Sequence, residues 1–241
     1  MFEGLPRQGP GSDESTARAF SFIPPGARKG TILDIGCGSG MQTLALARLC
    51  PHCSIVATDR YQPFLDDLEG KVSKSGLTQK IKIMRVSMDD LPFLDHSFDI
   101  VWSEGSAFIM GLIPALTYWK KFLKSDGYLV FSDCAWFTDR PSEESINFWN
   151  EVDPGLNNED DIVSSIRALG YSVVTHFRLP AEAWWEHFYT PLSGKLDLLR
   201  EKYADNKEAG YILTGLQRQM ELFRDHSSEY GYTFFVLRTM D

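Results

Sequence analysis

Residues 31–40 read Thr-Ile-Leu-Asp-Ile-Gly-Cys-Gly-Ser-Gly, and this stretch decides the fold. Its apolar residues Ile32, Leu33 and Ile35 are typical of a short buried strand, and glycines at alternate positions end that strand where helical periodicity begins at Met41. Glycine tolerates backbone angles that side chains forbid, and the start of a helix offers unpaired N–H groups. The stretch therefore predicts a strand, a sharp turn and a helix that together hold a nucleotide-like ligand.

The acid before the glycines helps to identify that ligand. Asp34 begins a D-x-G-x-G-x-G pattern, whereas dinucleotide-binding folds use G-x-G-x-x-G with the pyrophosphate on the helix N-terminus. A carboxylate here repels a phosphate, so the pattern disfavours NAD and favours a cofactor with a cationic end. The stretch resembles motif I of the class I S-adenosylmethionine-dependent methyltransferases, and this resemblance implies S-adenosyl-L-methionine as the cofactor.

Two later stretches continue the resemblance, which covers about residues 31–134. A second strand ends in Asp59, where such folds place the ribose-binding acid, and the run from Asp89 to Val101 is similar to the D-x-LPF-x-D-x-SFD-x-V run of small-molecule members. The resemblance implies that Asp59 binds both ribose hydroxyls, that Asp89 accepts from the adenine amino group and that Met88 packs beside the ring. The predicted cofactor-binding residues are Asp34, Gly36, Gly38, Gly40, Asp59, Arg60, Met88, Asp89 and Ser103.

The order of the predicted elements favours an α/β fold. Short apolar strands alternate with helical segments, a pattern typical of a doubly wound, mostly parallel sheet with helices on both faces. Seven strands are expected, with a helical cap inserted between strands six and seven. The predicted division is an N-terminal arm and helix over the cofactor site at 1–30, a core at 31–178, the cap at 179–231 and the final strand at 232–241.

Catalytic residues are harder to predict, because methyl transfer requires alignment of two reactants more than any fixed catalytic group. Glu104 follows the fourth strand, where the family resemblance implies that the methyl group emerges, and it is our first candidate for a general base. A carboxylate fixed in the first turn, or a contact to the cofactor amine, is the alternative. His187, within the aromatic cluster of residues 184–189, is the second candidate. Arg7, Gln8 and Arg18 of the arm could reach the ligand, although solvation at the surface is the simpler interpretation.

The resemblance implies an enzyme that methylates a small molecule. The Asn-Pro-Pro-aromatic motif of adenine and glutamine methylating members is absent after the fourth strand, where residues 103–106 read Ser-Glu-Gly-Ser. A non-catalytic S-adenosylmethionine-binding sensor or partner subunit is the rival interpretation. The cap, rich in aromatic side chains such as Trp185, is predicted to cover the acceptor side of the cofactor. The face of a homodimer is the alternative for the same aromatics.

Composition and charge limit the classes of partner that we expect for this chain. The 241-residue chain carries a net charge of −9 without clusters of basic residues, which opposes a nucleic-acid partner. The sequence shows no leader and no apolar run of membrane-spanning length, so we expect a cytoplasmic protein without a membrane partner. Glu104 and Asp133 end adjacent strands in an order similar to magnesium-dependent catechol methylation. A third oxygen ligand is not evident, and no metal is predicted.

Cys50 and Cys53 form a C-x-x-C motif. Reactive pairs of this type sit at the start of a helix, where the helix dipole lowers the thiol pKa, whereas this pair follows a predicted helix. We therefore expect Pro51 to end that helix, and we expect neither a redox nor a metal-binding role for the pair.

Overall fold

The computed structural model describes residues 1–240, and its centre is a seven-stranded mixed sheet. The strands are β1 (Gly30–Ile35), β2 (Cys53–Asp59), β3 (Ile81–Arg85), β4 (Phe98–Glu104), β5 (Leu123–Trp136), β6 (Tyr171–Arg178) and β7 (Tyr230–Thr239). Their order across the sheet is β3-β2-β1-β4-β5-β7-β6. Strands β1 to β5 pair in parallel, and β7 runs antiparallel between β5 and β6. This topology confirms the predicted doubly wound, mostly parallel fold.

Ten α-helices surround the sheet within residues 1–240. They are α1 (Asp13–Ser21), α2 (Met41–Leu49), α3 (Gln62–Lys74), α4 (Leu112–Lys120), α5 (Glu143–Val152), α6 (Glu159–Ala168), α7 (Glu182–Trp184), α8 (Thr190–Ser193), α9 (Leu196–Lys202) and α10 (Lys207–His226). A π-helical turn, Trp185–Tyr189, joins α7 to α8. None of these helices is long and apolar enough to cross a membrane.

Local sequence explains why helices begin where they do. Ser12 caps α1, because its hydroxyl accepts from the Ser15 N–H at 3.1 Å. Asn158 caps α6 in the same way through the Asp161 N–H at 2.8 Å, and three acidic residues follow in the first turn, where the helix dipole favours negative charge. Both starts follow from side chains next to them in sequence.

The core has two layers, one on each face of the sheet. Tyr128 and Val130 of β5 belong to one buried cluster, whereas Leu129 and Phe131 belong to the other. Side chains that alternate along a strand point to opposite faces, so helices cover both faces of the sheet.

The structure shortens one predicted element. Periodicity predicts a helix from Gly111 to Leu123, but α4 ends at Lys120 and Leu123 pairs with Phe98 as the first residue of β5. An apolar residue such as Leu123 fits the pattern of either element, and the distant pairing partner decides between them.

The cap fills with its own aromatic residues. Trp184 stacks on Phe223 of α10 with ring centroids 4.2 Å apart, and it meets Tyr232 of β7 edge-on at 4.9 Å. Trp184 and Tyr189 are almost fully buried. The cluster is therefore mainly a hydrophobic core.

Cys50 and Cys53 form a disulfide that the sequence analysis did not predict. Cys50 follows α2 directly, and Cys53 begins β2. The expected helix end at Pro51 is present, but the turn also brings the two sulfurs together. The pair is thus a structural crosslink in a tight turn.

Candidate active site

A cavity of about 310 Å³ lies at the carboxyl ends of β1, β2 and β4. Open α/β sheets bind ligands at this edge, at the point where the strand order reverses. Here the order reverses between β1 and β4, because β2 and β3 lie on one side of β1 and all later strands lie on the other. The topology and the cavity therefore mark the same place.

Two glycines of the loop after β1 form the floor of the cavity. Gly36 has φ 69°, and a Cβ atom there would lie 2.5 Å from the Ser106 hydroxyl oxygen. Gly38 has φ 53°, and a Cβ atom there would lie 2.5 Å from the Gln8 side-chain oxygen. A side chain at either position would collide with these protein groups, so the loop needs glycine at both positions.

Asp59 stands at the end of β2 beside this loop and lines the cavity. Its Oδ2 accepts from the Gly38 N–H at 3.0 Å, and its Oδ1 accepts from the Tyr61 N–H at 2.9 Å. These bonds fix the carboxylate at the cavity wall. Arg60 and Met88 of the predicted set also line the cavity.

Asp34, in contrast, lies beneath the glycine loop and not in the cavity wall. It is fully buried, and its Oδ2 accepts from the Thr43 hydroxyl of α2 at 2.5 Å. Burial raises the pKa of Asp34 to about 7, although the bond from Thr43 opposes the rise. This carboxylate joins β1 to α2 and does not line the cavity, and its contact with the cofactor stays a prediction.

Three other predicted cofactor residues are placed elsewhere. Gly40 begins α2 with φ 81° and packs against Leu68. Asp89 is exposed and lies outside the cavity lining. Ser103 is buried, with its hydroxyl 2.7 Å from that of Ser106, which lines the cavity in its place. The motifs therefore mark turns around the cavity, but not every residue of these motifs lines it.

Glu104 lines the cavity, but protein donors hold both of its carboxylate oxygens. Its Oε2 forms an ion pair with Arg7 Nη1 at 3.0 Å, and both side chains are about 95% buried, with 5% and 4% exposed. Its Oε1 accepts from the Thr16 hydroxyl at 2.7 Å and from the Trp102 indole N–H at 2.9 Å. These contacts favour the alternative of a fixed carboxylate after the strand over a general base.

His187 does not line the cavity. Its carbonyl accepts from the Arg7 N–H at 3.3 Å, and its Nε2 lies 3.8 Å from Glu186 on the outside of the cap. The structure therefore gives no support to His187 as a catalytic base.

The N-terminal arm, predicted to lie over the cofactor site, forms one wall of the cavity. Residues 6–10 line the cavity, and none of the described residues of the cap does so. Gln8 reaches the glycine loop, where its side-chain oxygen accepts from the Ser39 N–H at 2.7 Å. The arm is docked on the cap, because the Gly11 N–H donates to the Ala183 carbonyl at 3.0 Å. The cap thus supports the cover of the cavity without being that cover.

Arg18, the third arm residue considered for ligand contact, lies elsewhere. Its guanidinium stacks over the Phe177 ring at 4.0 Å. Across residues 1–240, no group of three or more histidine, cysteine or acidic side chains is arranged to hold a metal ion.

The chemistry of the cavity fits a nucleoside cofactor with a cationic end. The open glycine loop admits close contact to the main chain, and Asp59 supplies an acceptor at the wall. Phe64, Val86 and Met88 add apolar and aromatic surface to the same cavity. A volume near 300 Å³ lies at the lower end of the range for small-molecule sites.

Comparison with known proteins agrees with this site. Residues 33–131 match the family model described as a methyltransferase domain. The chain is 25% identical over 181 residues to a malonyl-[acyl-carrier protein] O-methyltransferase of Herminiimonas arsenicoxydans, and the match covers 72% of the chain but 64% of the relative. The chain therefore spans less than two thirds of that relative.

Solved structures show the same fold. The E. coli protein YjhP superposes with a TM-score of 0.82 at 18% identity, over 99% of this chain and 97% of that chain. A methyltransferase from Thiobacillus denitrificans, solved with S-adenosyl-L-homocysteine, superposes with a TM-score of 0.80 at 17% identity, over 99% of this chain and 96% of that chain. These superpositions show a shared fold, and the family match over residues 33–131 agrees with the methyltransferase resemblance of the motifs.

Proposed function

We propose that this chain, whose residues 33–131 match a methyltransferase domain, transfers a methyl group from S-adenosyl-L-methionine to a small-molecule acceptor. The observation that carries the proposal is the cavity at the topological switch point, with its open glycine loop and the fixed carboxylate of Asp59. The cofactor supplies an electrophilic methyl group on a sulfonium.

The residues of the chain have three tasks in this proposal. Asp59 would accept hydrogen bonds from the ribose hydroxyls, and Met88 would pack against the base. Gly36 and Gly38 leave room for the ligand beside the main chain. The arm excludes water from the cavity, because Arg7 and Gln8 hold it against β4 and the glycine loop.

Charge supports a small acceptor over a nucleic acid. The net charge is −9, which opposes a polyanionic partner. The relative from H. arsenicoxydans is described as acting on malonyl-[acyl-carrier protein], so an acceptor carried by a protein would be an informative outcome of a substrate search. The cytoplasmic location and the homodimer stay proposals. The Cys50–Cys53 disulfide argues against the cytoplasmic location, because reducing compartments such as the cytoplasm keep most thiols reduced.

Calorimetry tests the cofactor assignment. S-adenosyl-L-methionine and S-adenosyl-L-homocysteine should bind, and NAD should not. Asp59→Ala should weaken S-adenosyl-L-homocysteine roughly 10- to 100-fold, because charge-assisted hydrogen bonds contribute about 1.5 to 3 kcal/mol. Asp66→Ala is the matched control, since Asp66 is exposed on α3 and bonds to Gln62. Tight NAD binding, or equal affinity in the Asp59 variant, would contradict the assignment.

A non-catalytic sensor is the second candidate, and one observation favours it. Asp59 and Glu104, the carboxylates that line the first cavity, already accept hydrogen bonds from the protein. Incubation with methyl-labelled cofactor and fractionated cell extract separates the two candidates. A labelled product supports the enzyme, whereas cofactor binding without any labelled product supports the sensor.

A further inference from the structure

A second cavity, of about 260 Å³, lies at the carboxyl end of β5. Asp133 and Cys134 form one side of it, and the start of α4 and the loop at 153–157 form the others. Phe108, on the short turn after β4, lines both this cavity and the first one. The two cavities therefore share a wall.

Asp133 differs from the carboxylates of the first cavity in having a carboxylate oxygen without a protein donor. Its Oδ1 accepts from the Cys134 N–H at 2.9 Å. Within residues 1–240, its Oδ2 has no hydrogen-bond partner, although the residue is only 5% exposed. The enclosed polar atoms of residues 1–240 that lack a partner do not include this oxygen. Oδ2 therefore faces the open cavity, where it is available to a ligand.

The lining of the second cavity selects the charge of that ligand. Asp133 and Asp153 are both part of it, and no lysine, arginine or histidine of the described chain lines it. The rest of the wall is largely apolar and includes Leu112, Ile113 and Ile162. Two carboxylates without a compensating cation attract a positive group and repel a carboxylate or phosphate.

We propose that this second cavity binds the methyl acceptor, that the acceptor is an amine on an apolar body, and that Asp133 binds its ammonium group and accepts its proton. The inference rests on the proposed methyl transfer. The ammonium gives one proton to the Asp133 carboxylate and becomes a neutral amine. The nitrogen lone pair then forms the N–C bond as the C–S bond of the sulfonium breaks, and the sulfur leaves with that electron pair as a neutral thioether. The new ammonium keeps the positive charge, and Asp133 later releases its proton to water.

Two further features support this role. Burial, together with the nearby Asp153 charge, raises the pKa of Asp133 to about 7, and a base with a pKa near ambient pH can both take up and release a proton. Phe108 is 51% exposed, so packing does not fix its ring between the two cavities. An acceptor held by Asp133 reaches the cofactor past this side chain.

Binding of small probes tests the inference without requiring activity. The probes are butylamine, benzylamine and 2-phenylethylamine, each with its matched alcohol and carboxylate, measured by ligand-observed NMR on the full chain saturated with S-adenosyl-L-homocysteine. At least one amine should bind roughly tenfold more tightly than its alcohol, as expected for a charge-assisted contact. The carboxylates should bind most weakly. If no amine exceeds its alcohol, or if a carboxylate binds as well, the inference is wrong.

Variants locate the binding site. Asp133→Asn should reduce amine affinity roughly tenfold and leave the alcohols unaffected, whereas Asp160→Asn, at an exposed position on α6, should change neither. Ile113→Lys provides an independent variant, because Ile113 is 39% exposed and tolerates a polar side chain. It should weaken amines and strengthen carboxylates. Unchanged amine binding in both Asp133→Asn and Ile113→Lys would overturn the site.

The same preparations keep this inference separate from the proposed function. If the unmodified chain does not bind S-adenosyl-L-homocysteine, the proposed function is wrong. Normal cofactor binding without amine selectivity contradicts the acceptor site alone. Methyl-labelled cofactor should then produce an N-methylated form of the amine that binds best.

Discussion

The two cavities treat their carboxylates differently. In the first cavity, Asp59 accepts hydrogen bonds from two main-chain N–H groups, and Glu104 accepts hydrogen bonds from the side chains of Arg7, Thr16 and Trp102. In the second, the buried Asp133 has one donor, the neighbouring Cys134 N–H. Protein donors therefore hold both oxygens of each carboxylate in the first cavity, whereas one oxygen of Asp133 is free to face the second cavity, where we place the acceptor.

This contrast indicates how a common fold acquires a particular substrate. Hydrogen bonds within the protein pre-organise the first cavity, so it can receive a cofactor that many relatives share. A buried carboxylate with a free oxygen costs stability in the empty protein, and a bound cation compensates for that cost. The second cavity is therefore where stability and activity should oppose each other.

The largest effect is expected at the fixed cavity. Arg7→Ala removes the partner of a buried carboxylate, which typically costs about 3 to 5 kcal/mol, and the arm should come away from β4. Arg48→Ala is the matched control, because Arg7 and Arg48 both contact Asp13 but Arg48 is 59% exposed, and exposed pairs contribute less than about 1 kcal/mol. Denaturant unfolding measures both costs, and hydrogen exchange over residues 1–11 reports the arm. If Arg7→Ala and Arg48→Ala lower the free energy of unfolding equally, the contrast between the fixed carboxylates of the first cavity and Asp133 is wrong.

The second effect is a pH dependence at Asp133. Its folded-state pKa, about 7, lies above its ordinary value of 3.8, so its contribution to stability is present at low pH and is lost as the pH rises through 7. Asp153 and Cys134 line the same cavity. Burial and, second to it, the charge of Asp133 raise the pKa of the Tyr232 hydroxyl group of β7. Asp133→Asn has no charge to bury and keeps an oxygen for the Cys134 N–H.

The variant should therefore gain stability relative to the unmodified protein, by roughly 2 to 3 kcal/mol between pH 5 and pH 8. Chemical denaturation across this range measures the gain. Burial also raises the pKa of Asp34. Because Asp34 is present in both proteins, its contribution cancels from the difference in stability between them. If the stability of the unmodified protein and that of Asp133→Asn change with pH in parallel, Asp133 does not carry a charge that burial disfavours.

The smallest effect is expected at the disulfide. Cys50 and Cys53 lie at the end of α2 and the start of β2, away from the carboxyl edge that holds both cavities. A double serine variant should lose at most about 2 kcal/mol of stability, because the closed loop is short. Its affinity for S-adenosyl-L-homocysteine should be unchanged. A clear loss of affinity would show that the first cavity depends on this crosslink.

Local signals account for what the sequence could predict. Helix α2 begins at Met41 and ends at Leu49, as expected, because glycines precede it and Pro51 follows it. Asp59 lines the cavity as predicted, since a strand end and a sharp turn place it there. In both cases the deciding residues are neighbours in sequence.

Long-range contacts explain what the sequence could not predict. Arg7 and Glu104 are 97 positions apart, and no spacing rule pairs them. Without that pair, Glu104 reads as an available base and Arg7 as a solvated arm residue. The position of His187 outside the cavity lining is hidden for a similar reason, because the sequence of residues 184–189 does not reveal that Trp184 packs against β7. The sequence identifies which strand ends carry polar groups, and tertiary packing decides which of these groups stay available.

The direction of β7 has a practical consequence for handling the protein. Phe2 of the arm lines the first cavity, so a tag or surface linkage placed before the arm lies beside the ligand. Because β7 runs against β5, it returns to the opposite edge, where Thr239 pairs with Tyr171 at the start of β6. A fluorescent label or an immobilisation handle attached after β7 should therefore leave both cavities accessible.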